Sequence, residues 1–187
     1  MSEPESLPHV DLSLLTRWRA GDRRAGSELI DRYDGLLLRF FQTKAGDDAE
    51  DLVQRTFLRC IERKDAIVDL TSFRAYLLAT ARTVLVDHYR KAGRHARRFD
   101  PLQTSVADLN PSLSTHAAMQ QERRQLVEAL RQIPMELQIA LELFYWEGMA
   151  GPELAAALGL PEGTLRTRLR RGRQLLRERL GDHAPRM

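Results

Sequence analysis

Apolar residues recur every three or four positions along most of the chain, which is the spacing of one face of an α-helix. The clearest run extends from Phe73 to His88, and Thr71 and Ser72 before it are candidate helix caps. No stretch alternates with the period of two that is typical of a half-buried strand. The chain is therefore predicted to be all-α. The predicted helices cover residues 10–20, 26–44, 49–64, 73–92, 119–133, 134–147, 151–158 and 161–180.

The periodicity stops in one long internal segment that is rich in proline, serine, threonine and aspartate. A coil of about 20 residues is unusual inside one compact domain, so we predict a flexible linker between two small helical domains. The predicted organisation is a disordered tail over residues 1–9, a first domain over 10–96, the linker over 97–118, a second domain over 119–181 and a tail over 182–187.

Composition excludes several classes of protein. With one cysteine among 187 residues, Cys60, the chain forms no internal disulfide framework and no cysteine-cluster metal site. No apolar run approaches the ~20 residues that span a bilayer, and the first 20 residues do not resemble a secretory signal. We therefore predict a protein of the reducing cytoplasm.

Charge is distributed unevenly along the chain, although the net charge is only +3. Residues 122–162 carry three basic and seven acidic side chains, whereas residues 164–179 carry seven arginines and one acid, Glu178. A solvent-exposed helix face normally carries acidic and basic residues at i, i+4 spacing. A run of arginines with one acid is therefore poorly explained by solvent exposure alone. The pattern predicts a phosphate-facing element near the C-terminus.

The same segment has the pattern of a helix-turn-helix. A short helix ends at Gly159, which can adopt the left-handed conformation of a C-cap, and Pro161 suits the start of the next helix. At 100° per residue, an apolar stripe forms on one side of this second helix. The stripe consists of Leu165, Leu169, Gly172 and Leu176. The opposite side carries Arg166, Thr167, Arg170, Arg171 and Arg173. Arginine can bind guanine edges or phosphates with two donors, so this helix is the predicted DNA reader.

Four segments together resemble the bacterial RNA polymerase sigma factors of the extracytoplasmic-function (ECF) group, in the sigma-70 family. They are WRAGDRRAGSELIDRY, DAEDLVQRTFLRC, FRAYLLATARTVLVDHYRK and GLPEGTLRTRLRRGRQLLRERL. The resemblance covers residues 10–181 and implies two helical domains, σ2 and σ4. In the family, σ2 binds the β′ clamp of core RNA polymerase and reads the −10 element as a single strand, and σ4 binds the β flap and reads the −35 element as a duplex.

The resemblance also implies site residues and partners. It assigns polymerase binding to Asp48, Glu50, Asp51, Leu52, Gln54, Thr56 and Phe57. It assigns −10 DNA binding to Asp69, Ser72, Arg74, Arg82, Thr83, Arg90 and Lys91, with Thr83 standing where the family often has Asn. It assigns −35 DNA binding to Thr164, Arg166, Thr167, Arg170, Arg171 and Arg173. The expected partners are core RNA polymerase, promoter DNA and an anti-sigma factor, without membrane insertion. The expected location is the bacterial cytoplasm, or a membrane to which the anti-sigma factor tethers the chain.

Two other classes remain as alternatives. A self-sufficient helix-turn-helix regulator would dimerise on a palindrome, but the chain has no evident dimerisation helix. A nuclease or phosphoryl-transfer enzyme would need clustered carboxylates for metal. Such a cluster exists over residues 47–51, at a predicted helix start where acids are favoured by the helix dipole. No nucleotide-binding loop, zinc-protease or serine-hydrolase motif is present. We therefore predict a sigma factor that has no catalytic residues, cofactor or metal.

Overall fold

The regular structure of the chain is helical, as predicted. The computed structural model describes residues 7–66, 72–91, 99–111 and 121–181. Within these ranges the only β feature is an isolated bridge between Ser105 and Pro134. The nine helices of the described residues are α1 (Leu7–Arg19), α2 (Arg23–Ala45), α3 (Ala49–Arg63), α4 (Phe73–Lys91), α5 (Val106–Leu109), α6 (Gln121–Arg131), α7 (Met135–Tyr145), α8 (Gly151–Leu158) and α9 (Glu162–Leu180).

The predicted helix bounds differ from the observed ones by at most three residues, and the break after α2 lies where it was predicted. Helix α1 begins at Leu7, inside the segment predicted as a tail. The break after α2 is a single 3-10 turn over Gly46–Asp48, which leads directly into α3. Among the described residues, no helix combines the length and apolar character needed to cross a membrane.

Helix α2 is the centre of the first half. Its N-terminus is capped by Asp22, whose side chain accepts hydrogen bonds from the backbone N–H groups of Arg24 and Ala25. These backbone hydrogen bonds, and one from the Arg17 side chain, hold the pKa of Asp22 below its usual value. Leu29 and Phe41 are completely buried on the apolar face of α2. Around this face α1, α3 and α4 pack into a four-helix arrangement.

The contact between α1 and α2 depends on a glycine. A Cβ on Gly26 would lie 2.5 Å from ring atoms of Trp18, closer than any real contact. We expect Gly26→Ala to destabilise the protein by about 1–3 kcal/mol in urea unfolding, because the buried indole must move. Gly35→Ala is the matched control in the same helix. Its Cβ would meet only the Arg39 guanidinium, at the ordinary van der Waals distance of 3.5 Å. Gly35→Ala should raise stability by about 0.5–1 kcal/mol through helix propensity. Equal effects of the two substitutions would contradict this account.

Helix α4 is buried on more of its circumference than the sequence predicts. The expected face, which includes Leu77, Ala81 and Val84, packs within the first half. Leu78 and Val86, which lie outside that stripe, are buried as well. Two other parts of the chain cover this side of α4: α8 packs along it, and Val86 lies beside Pro101, Leu102 and Glu136. The buried residues of both halves therefore form one continuous apolar cluster.

The described part of the predicted linker, residues 99–111, is ordered in this arrangement. Ser105 and Asp108 form a reciprocal capping box that begins α5, and Val106 is completely buried. The carbonyl groups of Pro101 and Thr104 accept hydrogen bonds from the first N–H groups of α7, at 3.0 Å each. Serine and aspartate favour caps as well as loops, which is why their abundance indicated a coil. The rest of the predicted linker lies outside the described residues.

The second half contains α6 to α9, with the predicted helix-turn-helix in α8 and α9. Gly159 adopts the left-handed conformation, with φ of 65°, and its N–H group bonds back to α8. Gly172 allows α9 to approach α7 closely, because a Cβ there would meet Leu141 at 3.2 Å. Gly172 therefore packs against α7.

Candidate nucleic-acid interface

The predicted reading helix has the expected two-sided character. Leu165, Leu169 and Leu176 are buried against the rest of the second half, as predicted. Most of the predicted −35 contacts lie on the exposed side, namely Thr164, Arg166, Thr167, Arg170 and Arg171. Arg173 is half-buried, with Nη1 3.4 Å from the hydroxyl of Tyr145. The second half therefore presents a continuous polar and cationic surface along the N-terminal half of α9.

Few acids neutralise this surface. Arg166 has one distant carboxylate, Glu162 Oε2, at 3.8 Å. Among the described residues, no hydrogen bond or ion pair involves Arg170 or Arg171. Arg168, at the edge of the buried stripe, instead donates to Glu136 at 3.2 Å. The free guanidinium groups are available for phosphates or base edges.

The predicted polymerase-binding residues divide into two groups on α3 and the turn before it. Asp48, Glu50, Asp51 and Gln54 are exposed and form an acidic and polar surface. Leu52, Thr56 and Phe57, by contrast, are buried, and the Thr56 hydroxyl bonds the carbonyl of Leu52 at 2.7 Å. These three residues are core residues in this arrangement and are not available to a partner. The exposed acidic and polar residues therefore remain the candidate surface for a partner.

The apolar face of α3 is only partly covered by the rest of the chain. Val53, Phe57 and Cys60 are buried, but Ile61, in the last turn of α3, is 41% exposed. Leu58, one turn before Ile61, is 55% exposed. Burial raises the pKa of the Cys60 thiol to about 12, as is typical of a buried, unreactive cysteine.

The predicted −10 residues on and before α4 also divide. Thr83, Arg90 and Lys91 are exposed. Ser72 caps α4, since its hydroxyl accepts from the Ala75 N–H group at 3.1 Å. Asp69 lies outside the described residues. The remaining two residues, Arg74 and Arg82, are engaged by carboxylates of the second half.

Arg82 Nε lies 2.7 Å from Glu136 Oε1, and Arg74 lies 3.6 Å from Glu147 and 3.9 Å from Glu153. These acids come from α7, the turn after it and α8. The face of α4 that carries Arg74 and Arg82 is therefore paired with the second half of the chain.

Sequence reasoning missed a buried ionic network between the two halves. Lys44 of α2 is fully buried and pairs with Glu142 of α7, which is 4% exposed at its side chain. Lys44 Nζ also donates to the carbonyl of Phe40 at 2.6 Å and to Thr43 Oγ1 at 3.0 Å. Gln138 Nε2 donates to Glu142 Oε1 at 2.8 Å. Desolvation lowers the pKa of Lys44, and the Glu142 carboxylate opposes that shift. One signal was available, because Lys44 continues the spacing of the apolar stripe that includes Phe40 and Phe41.

The described residues contain no group of three or more His, Cys, Asp or Glu side chains that could hold a metal ion. The acids of residues 47–51 point to solvent or to local basic partners. Asp51 pairs with Arg55 at 2.7 Å, and Asp48 lies 3.6 Å from His88. The geometry of this cluster is that of a charged helix start.

Comparison with known proteins finds matches in both halves of the chain. The family model for sigma-70 region 2 matches residues 29–95, and that for sigma-70 region 4 matches residues 123–176. No catalytic family is among these matches. RNA polymerase sigma factor CarQ of Myxococcus xanthus is 32% identical over 178 residues, which is 90% of this chain and 96% of CarQ. ECF RNA polymerase sigma factor SigL of Mycobacterium tuberculosis is 29% identical over 150 residues, 75% of this chain and 80% of SigL.

Solved structures share the fold. The sigma factor RpoE in complex with the anti-sigma factor NepR from Bartonella quintana matches with a TM-score of 0.66 at 21% identity, over 84% of this chain and 98% of RpoE. CnrH in complex with the cytosolic domain of CnrY matches with a TM-score of 0.68 at 23% identity, over 94% of this chain and 99% of CnrH. Two matched regions in the right order, and one relative similar over nearly its whole length, establish the family. The chain belongs to the sigma-70 family, as an RNA polymerase sigma factor of the ECF group.

Proposed function

We propose that the two halves of this sigma factor divide promoter recognition between them. As an alternative sigma factor, the chain directs core RNA polymerase to specific promoters and so initiates transcription of a set of genes. We assign residues 10–96 to σ2, which binds the β′ clamp and the −10 element, and residues 119–181 to σ4, which binds the β flap and the −35 element. Residues 97–118 connect the two domains.

One observation supports this division most strongly. The exposed side of α9 carries Arg170 and Arg171 without acidic partners, and its other side is fixed in the core by three leucines. A rigid helix with free arginines on its outer side suits the major groove, where arginine binds guanine with two donors. We place the −35 contacts on Thr164, Arg166, Thr167, Arg170, Arg171 and Arg173.

The acidic surface of α3 suits the polymerase. We place polymerase contacts on Asp48, Glu50, Asp51 and Gln54, which are exposed, and not on the buried residues Leu52, Thr56 and Phe57. For the −10 element we retain Asp69, Ser72, Arg74, Arg82, Thr83, Arg90 and Lys91. The role needs no catalytic residue, because the polymerase performs the chemistry.

An anti-sigma factor is the further partner that we propose, and the bacterial cytoplasm, where polymerase meets DNA, is the proposed location. The solved structure of RpoE, which has the same fold, contains such a factor. The self-sufficient regulator is disfavoured, because region 2 of a sigma factor accounts for most of the first half.

The function is tested by adding the purified chain to bacterial core RNA polymerase and selecting promoters from a randomised duplex library by run-off transcription. Specific starts should depend on both the chain and the polymerase. Specific binding of the free chain to a palindrome as a dimer, with no effect on the polymerase, would favour the self-sufficient regulator.

The role of α9 is tested by Arg170→Ala and Arg171→Ala. Each should weaken promoter use by about 1–3 kcal/mol, or roughly 5- to 150-fold, because a contact to a base or phosphate is lost. The helix should stay folded, since both side chains are exposed. Arg179→Ala, an exposed arginine at the far end of the same helix, is the control and should be nearly silent. Normal promoter use by both α9 variants would remove this helix from DNA recognition.

A further inference from the structure

The junction between the two halves of the chain is unusually rich in ionic contacts. We define the junction as the contact of α2 and α4 with α7, α8 and the turn over residues 146–150. In each of three clusters, at least one cation of the first half meets a carboxylate of the second. A junction with this one-directional complementarity is a specific arrangement, since opposite charges across an interface fix its register.

The first cluster lies deepest. Lys44 and Glu142 are both buried, and Thr43 Oγ1 donates to Glu142 Oε1 at 3.1 Å. Tyr89 of α4 donates its hydroxyl to the carbonyl of Lys44. Lys44 keeps the Phe40 carbonyl on α2 and Glu142 keeps Gln138 on α7, but each group has its opposite charge only while α2 and α7 are together. Separation of the halves returns both charges to water, so the pair specifies one closed arrangement rather than holding the halves together irreversibly.

The second cluster surrounds Arg74. Its Nη2 donates to the backbone carbonyl of Glu147 and lies 3.6 Å from Glu147 Oε2. Arg39 of α2 binds the same Glu147 carboxylate with two donors at 3.2 Å. The Ser72 hydroxyl donates to Glu153 Oε1 at 2.7 Å. Two predicted −10 residues, Ser72 and Arg74, are therefore occupied by oxygen acceptors of the second half.

The third cluster is centred on Glu136, which is 1% exposed. Its two oxygens bind an arginine from each half, Arg82 of α4 at 2.7 Å and Arg168 of α9 at 3.2 Å. When the halves separate, Glu136 keeps Arg168 as a partner while Arg82 becomes free. The cost of releasing Arg82 is therefore reduced by a partner that remains.

The two predicted DNA-binding surfaces, on α9 and on α4, differ in how far their arginines are accessible. On α9, Arg170 and Arg171 are exposed, whereas on α4 Arg74 and Arg82 are paired with carboxylates of the second half. We propose that the second half of the chain is an intramolecular cover for the cationic face of α4, in which Glu136, Glu147 and Glu153 occupy the positions of DNA phosphates. The free protein must open at the junction before α4 can bind a promoter strand. The assignment of α4 to DNA rests on the proposed function, but the closure does not.

The closure is tested by measuring the distance between the halves. Spin labels at Asp34→Cys and Arg177→Cys, two exposed positions in α2 and α9, report the separation in a Cys60→Ala background. The free chain should show one narrow, short distance by double electron–electron resonance. Glu147→Lys with Glu153→Lys places cations beside Arg39 and Arg74, so the short distance should largely disappear. Glu122→Lys with Glu178→Lys makes the same change of charge away from the junction and should leave the distance unchanged.

The consequence for function is tested by locking the junction. Arg39→Cys with Glu147→Cys, also in the Cys60→Ala background, places two thiols where an ion pair lies in the closed arrangement. A short reducible bismaleimide should link them within one chain. The linked protein should lose at least 10-fold in promoter-directed run-off transcription with core polymerase and recover on reduction. The same variant treated with a monofunctional maleimide should remain active.

The outcomes of these experiments distinguish a failure of the proposed intramolecular cover from a failure of the proposed function. A broad distribution of distances in the free chain would overturn the closed state. Equal activity of the linked and reduced proteins would overturn its inhibitory role. If the reduced protein also fails to direct transcription, while the labelled chain still shows the short distance, the proposed function fails and the closed state stands without a role in DNA binding.

Discussion

Glu142→Leu should destabilise the closed arrangement by about 3–5 kcal/mol, although leucine is the more apolar residue. The substitution leaves the Lys44 ammonium fully buried without its carboxylate, and an unpaired buried charge is far more costly than a lost surface pair. Thr43 and the Phe40 carbonyl still contact Lys44, but neither supplies a negative charge. The loss should appear in urea unfolding or, if opening of the junction is easier, as a longer distance between the spin-labelled halves.

A second substitution tests whether the unpaired charge of Lys44 causes the loss of stability. Lys44→Met combined with Glu142→Leu removes both charges and fills similar volume, so most of the lost stability should return. Arg55→Ala is the control for an ordinary ion pair, because Arg55 and Asp51 are both about half exposed, and should cost no more than about 1 kcal/mol. If the double variant is as unstable as Glu142→Leu alone, the instability comes from packing and not from the orphaned charge.

Asp51→Arg should abolish binding to core RNA polymerase while the free protein remains folded. The Asp51 side chain is 53% exposed in the first turn of α3, and its one described ionic partner is Arg55 on the same helix. If this surface meets a basic partner, reversal places like charges together and costs several kcal/mol, or at least 100-fold in affinity. The measurement is a titration of labelled protein with core polymerase at fixed salt, with circular dichroism for the fold.

Glu122→Arg is the matched control, because it reverses an exposed acid at the start of α6 in the other half. It should bind polymerase almost normally. Wild-type affinity of Asp51→Arg would show that the acidic surface of α3 is not the polymerase contact, even if the family assignment stands. Weak binding by both variants would instead indicate a general electrostatic effect rather than a defined contact.

The sequence was most informative where local rules decide the structure. The turn of the helix-turn-helix requires a left-handed residue, and Gly159 supplies it at the predicted place. The stripe of Leu165, Leu169 and Leu176 follows from helix geometry alone, so the exposed side of α9 could be predicted apart from Arg173, which is half-buried. The same rules placed α2, α3 and α4 within a few residues of their observed bounds.

The sequence was less reliable for deciding which residues of α3 are accessible. Thr56, which the family resemblance assigns to polymerase binding, lies in the core with its hydroxyl bonded to the preceding turn, whereas the apolar Ile61 is exposed. A hydroxyl that bonds its own helix needs no outside partner, so it can be buried without a signal in the sequence. An apolar residue near a helix end is buried only if another element reaches it.

What the sequence by itself determined is the helices other than α5, their order, the exposed arginine face of α9 and the family. What only the tertiary structure decided is the junction: the second buried side of α4, the occupation of Arg74 and Arg82, and the pairing of Lys44 with Glu142 across 98 residues. The physical reason is that helix formation and amphipathicity depend on neighbours within a few positions. The burial of a charge, by contrast, is tolerated only if an opposite charge arrives from elsewhere in the chain, and no local pattern encodes that arrival.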